Sequence, residues 1–355
     1  MKLFLVIPSL EKGGAERVMS ELANQFSKMN HNVHLILLTE RKIEYPINDN
    51  IRIHKLGFEN KGLFKKIFSE IKTFYKLRLL FKNQKPDYVL SFMEKFNIFT
   101  LVASYNLNLK VFVSDRSNPY KKISFFLNLL KSITYKYATG IIAQTDLSKQ
   151  VLLKKINNNN IRVIPNPVKN IAHFPNIIRE NIIINVGRLV PEKGHKYLLK
   201  AFSETIFPLW KLVILGDGPL RKELTNQAEH LGIQDRLFMP GSVNNIDDWL
   251  ARSSIFAFTS VSEGFPNALV EAMSSGLPCV SFDCDAGPKD IIIENKNGFL
   301  VETKNISSFT NILDKLCADT QLREQIGKEA KEIKNKLDVS IIAVDFLKFF
   351  NTTIK

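Results

Sequence analysis

The feature that most constrains the fold is an alternation of short apolar runs with longer amphipathic stretches along all 355 residues. Runs such as 3–8, 88–92 and 255–259 have the length of buried strands, and patterns with a helical period follow them. Strands that alternate with helices form parallel sheets covered by helices on both faces. A chain of this length exceeds one ordinary core, so we expect two such α/β domains.

A stiff connector marks the boundary between the two predicted domains. Residues 161–167 end in Pro165-Asn166-Pro167, and two prolines around one residue do not continue a helix. We therefore predict an N-terminal domain at 1–168, a C-terminal domain at 169–338 and a last helix at 339–355.

The composition argues against several classes of protein. No run of about 18 apolar residues occurs, so we expect no membrane-spanning helix. The apolar N-terminus fits a first strand better than a signal peptide. The three cysteines are not closely paired, and no Cys/His cluster has zinc-ligand spacing, which favours a reducing compartment. We expect a cytoplasmic protein without a disulfide framework.

The net charge of +14 comes entirely from the first half of the chain, which carries +15 against −1 for the remainder. Residues 1–168 contain 27 Lys and Arg against 12 Asp and Glu, which favours an anionic partner. Two predicted helices, 62–82 and 121–137, interleave phenylalanine, leucine and isoleucine with lysine, as helices in an anionic membrane interface do. The alternative is that both apolar faces pack inside the core. The candidate membrane or acceptor contacts are Lys65, Lys66, Lys72, Lys76, Lys121 and Lys122.

Charged side chains occur on loops at the predicted carboxyl ends of strands, where such sheets bind ligands. Arg188 and Lys193 follow the first strand of the second domain, and this pair can neutralise a departing diphosphate or form a structural salt bridge. Glu263 follows a strand, and Glu271 lies about two turns further, in a helix whose N-terminus suits an anion. The two acids can hold sugar and ribose hydroxyl groups, or they are surface acids on an ordinary corner.

Glycines on two further loops are compatible with phosphate binding but are weak signals. The pair Gly13-Gly14 lets backbone N–H groups approach a phosphate, or forms a tight turn without a ligand. The segment Gly216-Asp217-Gly218 lacks the third glycine of a dinucleotide motif. The chain contains neither a P-loop nor a catalytic-triad pattern.

Five motifs, taken in order, resemble the retaining glycosyltransferases of family 4, which have the GT-B fold. The match covers nearly the whole chain. The segments 114–118 and 282–291 further resemble members that use UDP-sugars to extend bacterial surface glycans on polyprenyl-diphosphate lipid. The five motifs are Gly13-Gly14-Ala15-Glu16-Arg17, Val186-Gly187-Arg188-Leu189 with Lys193-Gly194, Gly216-Asp217-Gly218-Pro219, Pro240-Gly241, and Glu263 with Glu271 around Gly-Phe-Pro.

The resemblance implies a GT-B architecture, with two Rossmann-like domains that face each other across a cleft and a C-terminal helix that returns to the first domain. It implies a UDP-sugar donor, a lipid-linked glycan acceptor bound by the N-terminal domain, and peripheral association with the anionic cytoplasmic face of the inner membrane. Such enzymes usually need no metal, so we expect no cofactor and do not interpret Asp283 and Asp285 as a metal-binding pair. The implied donor contacts are Gly14, Arg188, Lys193, Val243, Glu263, Gly264, Phe265, Pro266, Asn267 and Glu271.

The implied reaction moves a hexose or N-acetylhexosamine from UDP to a polyprenyl-diphosphate-linked oligosaccharide, with retention of configuration. Relatives often have histidine at the Asp115-Arg116 position, so we expect Asp115 or Arg116 to contact a donor or acceptor phosphate instead. The implied catalytic residues are Glu263, Arg188, Lys193, Asp115 and Arg116.

Two other functions remain open. A UDP-sugar 2-epimerase can share the architecture, but it needs acid and base groups around the sugar ring, and the four charged residues at positions 188, 193, 263 and 271 favour transfer. A nucleic-acid-binding protein can use a basic half, but here the basic residues lie on phenylalanine-rich helices and no recognition motif occurs. We therefore expect no nucleic acid among the partners.

Overall fold

The chain divides into two compact units. The first contains Met1–Pro167 and Val339–Lys355, and the second contains Val168–Asp338. The predicted boundary after residue 168 adjoins this division. None of the described helices combines the length and apolar character that a membrane crossing requires. The computed structural model describes residues 1–11, 13–58, 62–169, 171, 174 and 177–352.

A parallel sheet forms the centre of the first unit, and its described strands have the order β3-β2-β1-β4-β5-β6-β7. Every residue of β4, β5 and β6 is buried, as expected for parallel strands covered on both faces. The strands are β1 (Lys2–Ile7), β2 (Asn32–Thr39), β3 (Arg52–Phe58), β4 (Tyr88–Phe92), β5 (Val111–Ser114), β6 (Gly140–Ala143) and β7 (Ile161–Val163).

The helices between these strands differ at their ends from the predicted ones. The helix predicted at 121–137 begins only at Phe125, because the Ser124 hydroxyl accepts a hydrogen bond from the Leu127 N–H at 3.3 Å and caps the helix there. The helix predicted at 62–82 continues to Gln84. The helices are α1 (Gly14–Lys28), α2 (Leu63–Gln84), α3 (Glu94–Ser104), α4 (Phe125–Tyr135) and α5 (Asp146–Lys155).

The second unit repeats the same design around a parallel sheet, whose described strands have the order β10-β9-β8-β11-β12-β13. The predicted α/β class, with a parallel sheet in each half of the chain, is therefore confirmed. The strands are β8 (Ile182–Val186), β9 (Lys211–Leu215), β10 (Leu237–Gly241), β11 (Ile255–Phe258), β12 (Cys279–Asp283) and β13 (Phe299–Glu302).

Helices of the second unit cover its sheet and enclose an aromatic core. The rings of Phe282 and Phe309, for example, meet edge to face with centroids 5.1 Å apart. The helices are α6 (His195–Ser203), α7 (Arg221–His230), α8 (Ile246–Arg252), α9 (Asn267–Ser274), α10 (Pro288–Ile291), α11 (Ile306–Ala318), α12 (Thr320–Lys331) and α13 (Ile333–Lys336).

The last helix, α14 (Val339–Thr352), belongs to the first unit. Its Phe350 ring stacks on Tyr88 at 5.3 Å, and the Tyr88 hydroxyl donates to the Asn351 side chain at 3.0 Å. Gly140 of β6 permits this packing, because a Cβ there would overlap the ring of Phe349. The helix is thus anchored on the sheet by buried aromatic rings.

Candidate active site

The loops that follow β8 and β11 are neighbours at the carboxyl edge of the second sheet. β8 pairs with β9 on one side and with β11 on the other, so the order of the strands reverses at this point. Open α/β sheets bind their ligands at such a switch point. The loop after β8 carries Arg188 and Lys193, and the loop after β11 carries Glu263.

Lys193 and Glu263 form an ion pair between these two loops. The Lys193 Nζ and Glu263 Oε1 atoms lie 2.5 Å apart, and the side chains are 23% and 9% exposed. The Val261 N–H donates to the Glu192 carbonyl at 2.8 Å, which joins the loop backbones. Gly194 has φ +64°, and a Cβ there would overlap the Thr259 carbonyl oxygen. The close approach of the two loops therefore fixes the pair, and Lys193 keeps further N–H donors for a ligand.

Arg188 is exposed on the same loop, close to the glycine-containing loop after β9. The Leu189 N–H donates to the Asp217 carbonyl at 2.9 Å. Side chains at Gly216 and Gly218 would overlap the carbonyl oxygens of the loop after β8. These glycines are thus explained by close backbone packing that supports Arg188, without any dinucleotide site.

The N-terminus of α9 lies at the end of the Glu263 loop. Pro266 precedes the helix, no side chain caps it, and no acid occupies its first turn. Gly287, at φ +102°, allows the Pro266 ring to approach, since a Cβ there would overlap that ring. Uncapped N–H groups and the positive end of the helix dipole suit an anionic ligand.

The remaining predicted donor contacts have less distinctive environments. Phe265 is 7% exposed and packs inward, while Gly264, Asn267 and Glu271 are half-buried on the loop and on α9. Val243 is half-buried on the loop after β10. In the first unit, Gly14 is exposed at the first position of α1.

Two further side chains join the elements of this corner, and neither was predicted to have a role. The His195 Nε2 atom lies 3.0 Å from Asn185 Oδ1, and the Asn185 amide donates to the Ala257 carbonyl at 2.7 Å. The Asn185 oxygen is thus the acceptor, and Nε2 carries the proton. Burial, aided by the charge of Lys193, lowers the pKa of His195 to about 4. Neutral His195 therefore links β8, α6 and β11 behind the charged pair.

The segment after β12 contacts the same region. Burial, with a contribution from the Glu263 charge, raises the pKa of the Cys284 thiol to about 12, so the thiol is a neutral packing group. The Asp283 carboxylate pairs with the Lys289 ammonium at 2.7 Å, while Asp285 is exposed.

Asp115, in the first unit, is held in a buried polar network. Its carboxylate receives the Lys131 ammonium at 2.5 Å and the Tyr135 hydroxyl at 2.6 Å, and Lys131 also contacts Glu94 at 2.7 Å. Burial alone would lower the pKa of Lys131. The negative charges of Asp115 and Glu94 have the larger combined effect, so the pKa of Lys131 is raised. Lys131 is thus shared between Asp115 and Glu94, and the expected contact of Asp115 with a donor or acceptor phosphate stays a prediction.

Arg116, the next residue, packs on an aromatic ring. Its guanidinium lies 3.6 Å from the Phe92 ring centroid and donates to the Asn166 side chain of the connector. Burial lowers its pKa to about 9, and its Nε and Nη2 atoms are buried without a partner among the described residues. Arg116 therefore ties the loop after β5 to the connector, and its expected contact with a phosphate stays a prediction.

The predicted basic helix α2 has an exposed apolar face. Ile67, Phe68 and Ile71 are 48%, 72% and 51% exposed, whereas Leu77 and Phe81 are fully buried. The alternative of core packing is therefore wrong for these three exposed residues, whereas Phe74 of the same helix packs against the core. Lys65 and Lys72 are exposed and Lys66 is half-buried, whereas the Lys76 ammonium donates to the Leu56 carbonyl at 2.9 Å.

Helix α4 has a second exposed apolar face. Phe125 and Phe126 are 84% and 67% exposed, and Lys121 and Lys122 lie exposed on the segment before the helix. Helix α3 packs against both α2 and α4. The rings of Phe74 and Phe99 join α2 to α3, and Lys131 with Glu94 joins α4 to α3. The exposed apolar residues therefore belong to one layer of helices.

Comparisons with known proteins identify the family of the chain. A model of glycosyltransferase family 4 matches residues 12–169, and one of glycosyl transferases group 1 matches 169–333. An uncharacterized glycosyltransferase of Haemophilus influenzae is 30% identical over 92% of this chain and 93% of its own. A Campylobacter jejuni alpha-1,4-N-acetyl-D-galactosaminyltransferase, whose name specifies an undecaprenol-diphosphate-linked substrate, is 27% identical over 98% of each chain.

Solved structures share the fold. The Anabaena protein Alr3699/HepE, in complex with UDP, has a TM-score of 0.84 at 19% identity, over 99% of this chain and 100% of that one. The lipopolysaccharide outer core galactosyltransferase WaaB has a TM-score of 0.79 at 21% identity, over all of both chains. With the two family models and the Haemophilus relative, this likeness shows that the chain is a GT-B enzyme and belongs to glycosyltransferase family 4.

Proposed function

We propose that the protein transfers a hexose or N-acetylhexosamine from a UDP-sugar to a sugar hydroxyl of a polyprenyl-diphosphate-linked oligosaccharide, with retention of configuration. The observation that carries the proposal is the Lys193–Glu263 pair, held beside the uncapped N-terminus of α9 at the switch point of the second sheet. A nucleotide-sugar needs cationic groups for its diphosphate and acceptors for its hydroxyl groups, and this corner offers both. The name of the Campylobacter relative supports the acceptor class.

The chemistry follows from where charge develops. The bond from the anomeric carbon to the diphosphate oxygen breaks, and the acceptor oxygen bonds to the same face of that carbon. The acceptor proton passes to the departing diphosphate, so the products are UDP and the extended glycan. Arg188 and Lys193 stabilise the negative charge that grows on the diphosphate. Glu263 holds a sugar hydroxyl and faces a sugar carbon that becomes partly cationic, while Glu271 holds the ribose.

The nucleotide assignment is tested by thermal unfolding of the full chain with a panel of UDP- and GDP-sugars. A ligand that binds only the native state stabilises it by RT ln(1 + [L]/Kd), about 2.7 kcal/mol at a hundredfold excess over Kd. We expect UDP-sugars to raise the unfolding temperature, and the same shift in EDTA, because Arg188 and Lys193 supply the positive charge. A preference for GDP-sugars, or a shift that requires a divalent metal, contradicts the proposal.

The proposed partner of the first unit is an anionic membrane at the cytoplasmic face. Exposed phenylalanine and isoleucine side chains on α2 and α4 support it, together with exposed lysines on α2 and on the segment before α4, since large apolar side chains that are exposed together on a surface usually mark an interaction site. The lipid anchor of the proposed acceptor lies in such a membrane. Peripheral docking therefore brings the enzyme to its substrate.

A further inference from the structure

A cavity in the first unit is lined by α4, α5 and the loop after β5. Its volume is about 330 Å³, near the lower end of the roughly 300–1,000 Å³ typical of small-ligand sites. Its charged lining consists of Lys121, Lys122, Lys131 and Lys155 against Glu94 and Asp115. Lysines therefore outnumber carboxylates by two to one.

One of the four lysines in the cavity is paired with carboxylates of the described residues, and the other three are not. Lys131 is 11% exposed and contacts both Glu94 and Asp115, so the two acids already share one cation. An ammonium has three donors, which leaves Lys131 one N–H beyond these two contacts. Lys121, Lys122 and Lys155 are exposed, and their ammonium groups form no ion pair with the residues that the structure describes. Three cations thus remain available to an anion.

The other walls of the cavity are apolar. Val151, Leu152 and Ile156 line it from α5 and its end, and Ile123 lines it from the segment before α4. The segment 119–123 leads directly into α4, whose Phe125 side chain is 84% exposed. A ligand that matches this lining carries phosphate groups on an apolar chain, since phosphate suits the lysines and hydrocarbon suits the remaining walls.

We infer that this cavity binds the phosphate groups of a diphosphate-bearing amphiphile, with Lys121, Lys122 and Lys155 as its cationic contacts. The inference rests on the proposed function, in which the acceptor is a polyprenyl diphosphate glycan. Lys131 and its two carboxylates form the floor and keep the lysine segment in place. The cavity thereby holds the acceptor by its diphosphate group.

The test compares two charge-matched variants of the full chain, in saturating UDP so that nucleotide sites are filled. The cavity variant is Lys121→Gln, Lys122→Gln, Lys155→Gln. The control variant is Lys28→Gln, Lys149→Gln, Lys154→Gln, with Lys154 on the same helix as Lys155. Calorimetry measures the affinity for farnesyl diphosphate, inorganic diphosphate and farnesol. Flotation measures binding to vesicles of phosphatidylglycerol and phosphatidylcholine that contain no prenyl diphosphate.

We expect the cavity variant to lose about tenfold or more in affinity for farnesyl diphosphate and inorganic diphosphate, since charge-assisted hydrogen bonds are removed. The control should stay close to wild type, and both should keep vesicle binding. Equal diphosphate affinities in the two variants, a loss of vesicle binding alone, or equal affinity for farnesol and farnesyl diphosphate overturn the inference. UDP affinity, measured separately, tests the proposed function, so failure of one is distinguishable from failure of the other.

Discussion

At the scale of single residues, the Lys193–Glu263 pair can contribute both to the stability of the protein and to the binding of a ligand. The pair compensates two charges that the protein partly removes from water, so removing one partner leaves the other exposed to a desolvation penalty. The same pair offers its remaining donors and acceptors to a ligand. If the pair is only structural, its removal lowers the free energy of unfolding but leaves the turnover of the folded protein unchanged. If the pair is catalytic, its removal also lowers the turnover of the folded protein.

We expect Lys193→Ala and Glu263→Ala each to reduce transfer by about 10²–10³-fold, the range found when one group that stabilises transition-state charge is removed. The double variant should lose less than the product of the two single losses, because residues in one contact pair are not additive. The measurement is the initial rate of sugar transfer from a UDP-sugar to a lipid-linked acceptor, together with urea unfolding of each variant.

Lys200→Ala serves as the control for this experiment. Lys200 also contacts a carboxylate, Glu204 at 3.0 Å, but this pair is exposed on α6, where ion pairs contribute about 0–1 kcal/mol. Its turnover should match wild type. Near-normal turnover of both Lys193→Ala and Glu263→Ala would show that the pair is structural only.

The network around Asp115 shows which residue-scale features the sequence cannot predict. Glu94, Lys131 and Tyr135 surround Asp115 from α3 and α4. Their convergence depends on how these helices dock, so no local pattern reveals it. Lys193 and Glu263 were predictable because both follow strands of one parallel sheet, whose carboxyl ends necessarily share an edge.

At the scale of elements, strands were easier to predict than the faces of helices. A strand buried on both sides appears as a continuous apolar run, and the runs at 88–92 and 255–259 correspond to β4 and β11. A helical period gives the helix but not which face is buried. On α2, Phe68 is 72% exposed while Phe81 is fully buried. Only the position of the sheet decides between them.

The exposed face of α2 gives a prediction about membrane binding. A triple variant of α2 should be released from vesicles that contain anionic lipid at low salt. Its substitutions are Lys65→Glu, Lys66→Glu and Lys72→Glu. Each lysine near an anionic surface contributes about 1 kcal/mol, so the three together amount to about a hundredfold in affinity. Lys76 is kept, because its ammonium is bound to the Leu56 carbonyl. Co-sedimentation at increasing salt measures the effect.

A control with the same change of charge separates docking from general attraction. Lys211→Glu, Lys222→Glu, Lys328→Glu changes three exposed lysines of the second unit. A larger fraction of this variant than of the α2 variant should sediment with the vesicles. Equal release of the two variants would mean that net charge, and not the α2 face, determines membrane binding.

At the scale of the whole molecule, each unit contains a buried histidine that acid would have to protonate. His34 in the first unit and His195 in the second are each 1% exposed, and burial lowers both pKa values to about 4. Neighbouring cationic or histidine side chains add to the effect. Below pH 6.5 the unfolded chain therefore binds protons that the native protein does not, so stability falls with pH from 6.5 towards 4 and is fully retained above 6.5.

His195 allows this acid sensitivity to be measured in one unit. Both tryptophans, Trp210 and Trp249, lie in the second unit, so their fluorescence reports its unfolding in urea. A pKa that falls from 6.5 to about 4 implies a loss of about 2 kcal/mol in the free energy of unfolding between pH 7 and pH 5, above the range where most carboxylates titrate.

His195→Gln removes this proton uptake, so the stability of the variant should depend less on pH over that interval. His230→Gln, at an exposed position on α7, should keep the wild-type dependence. If His195→Gln is as acid-sensitive as wild type, protonation of His195 does not limit the stability of the second unit.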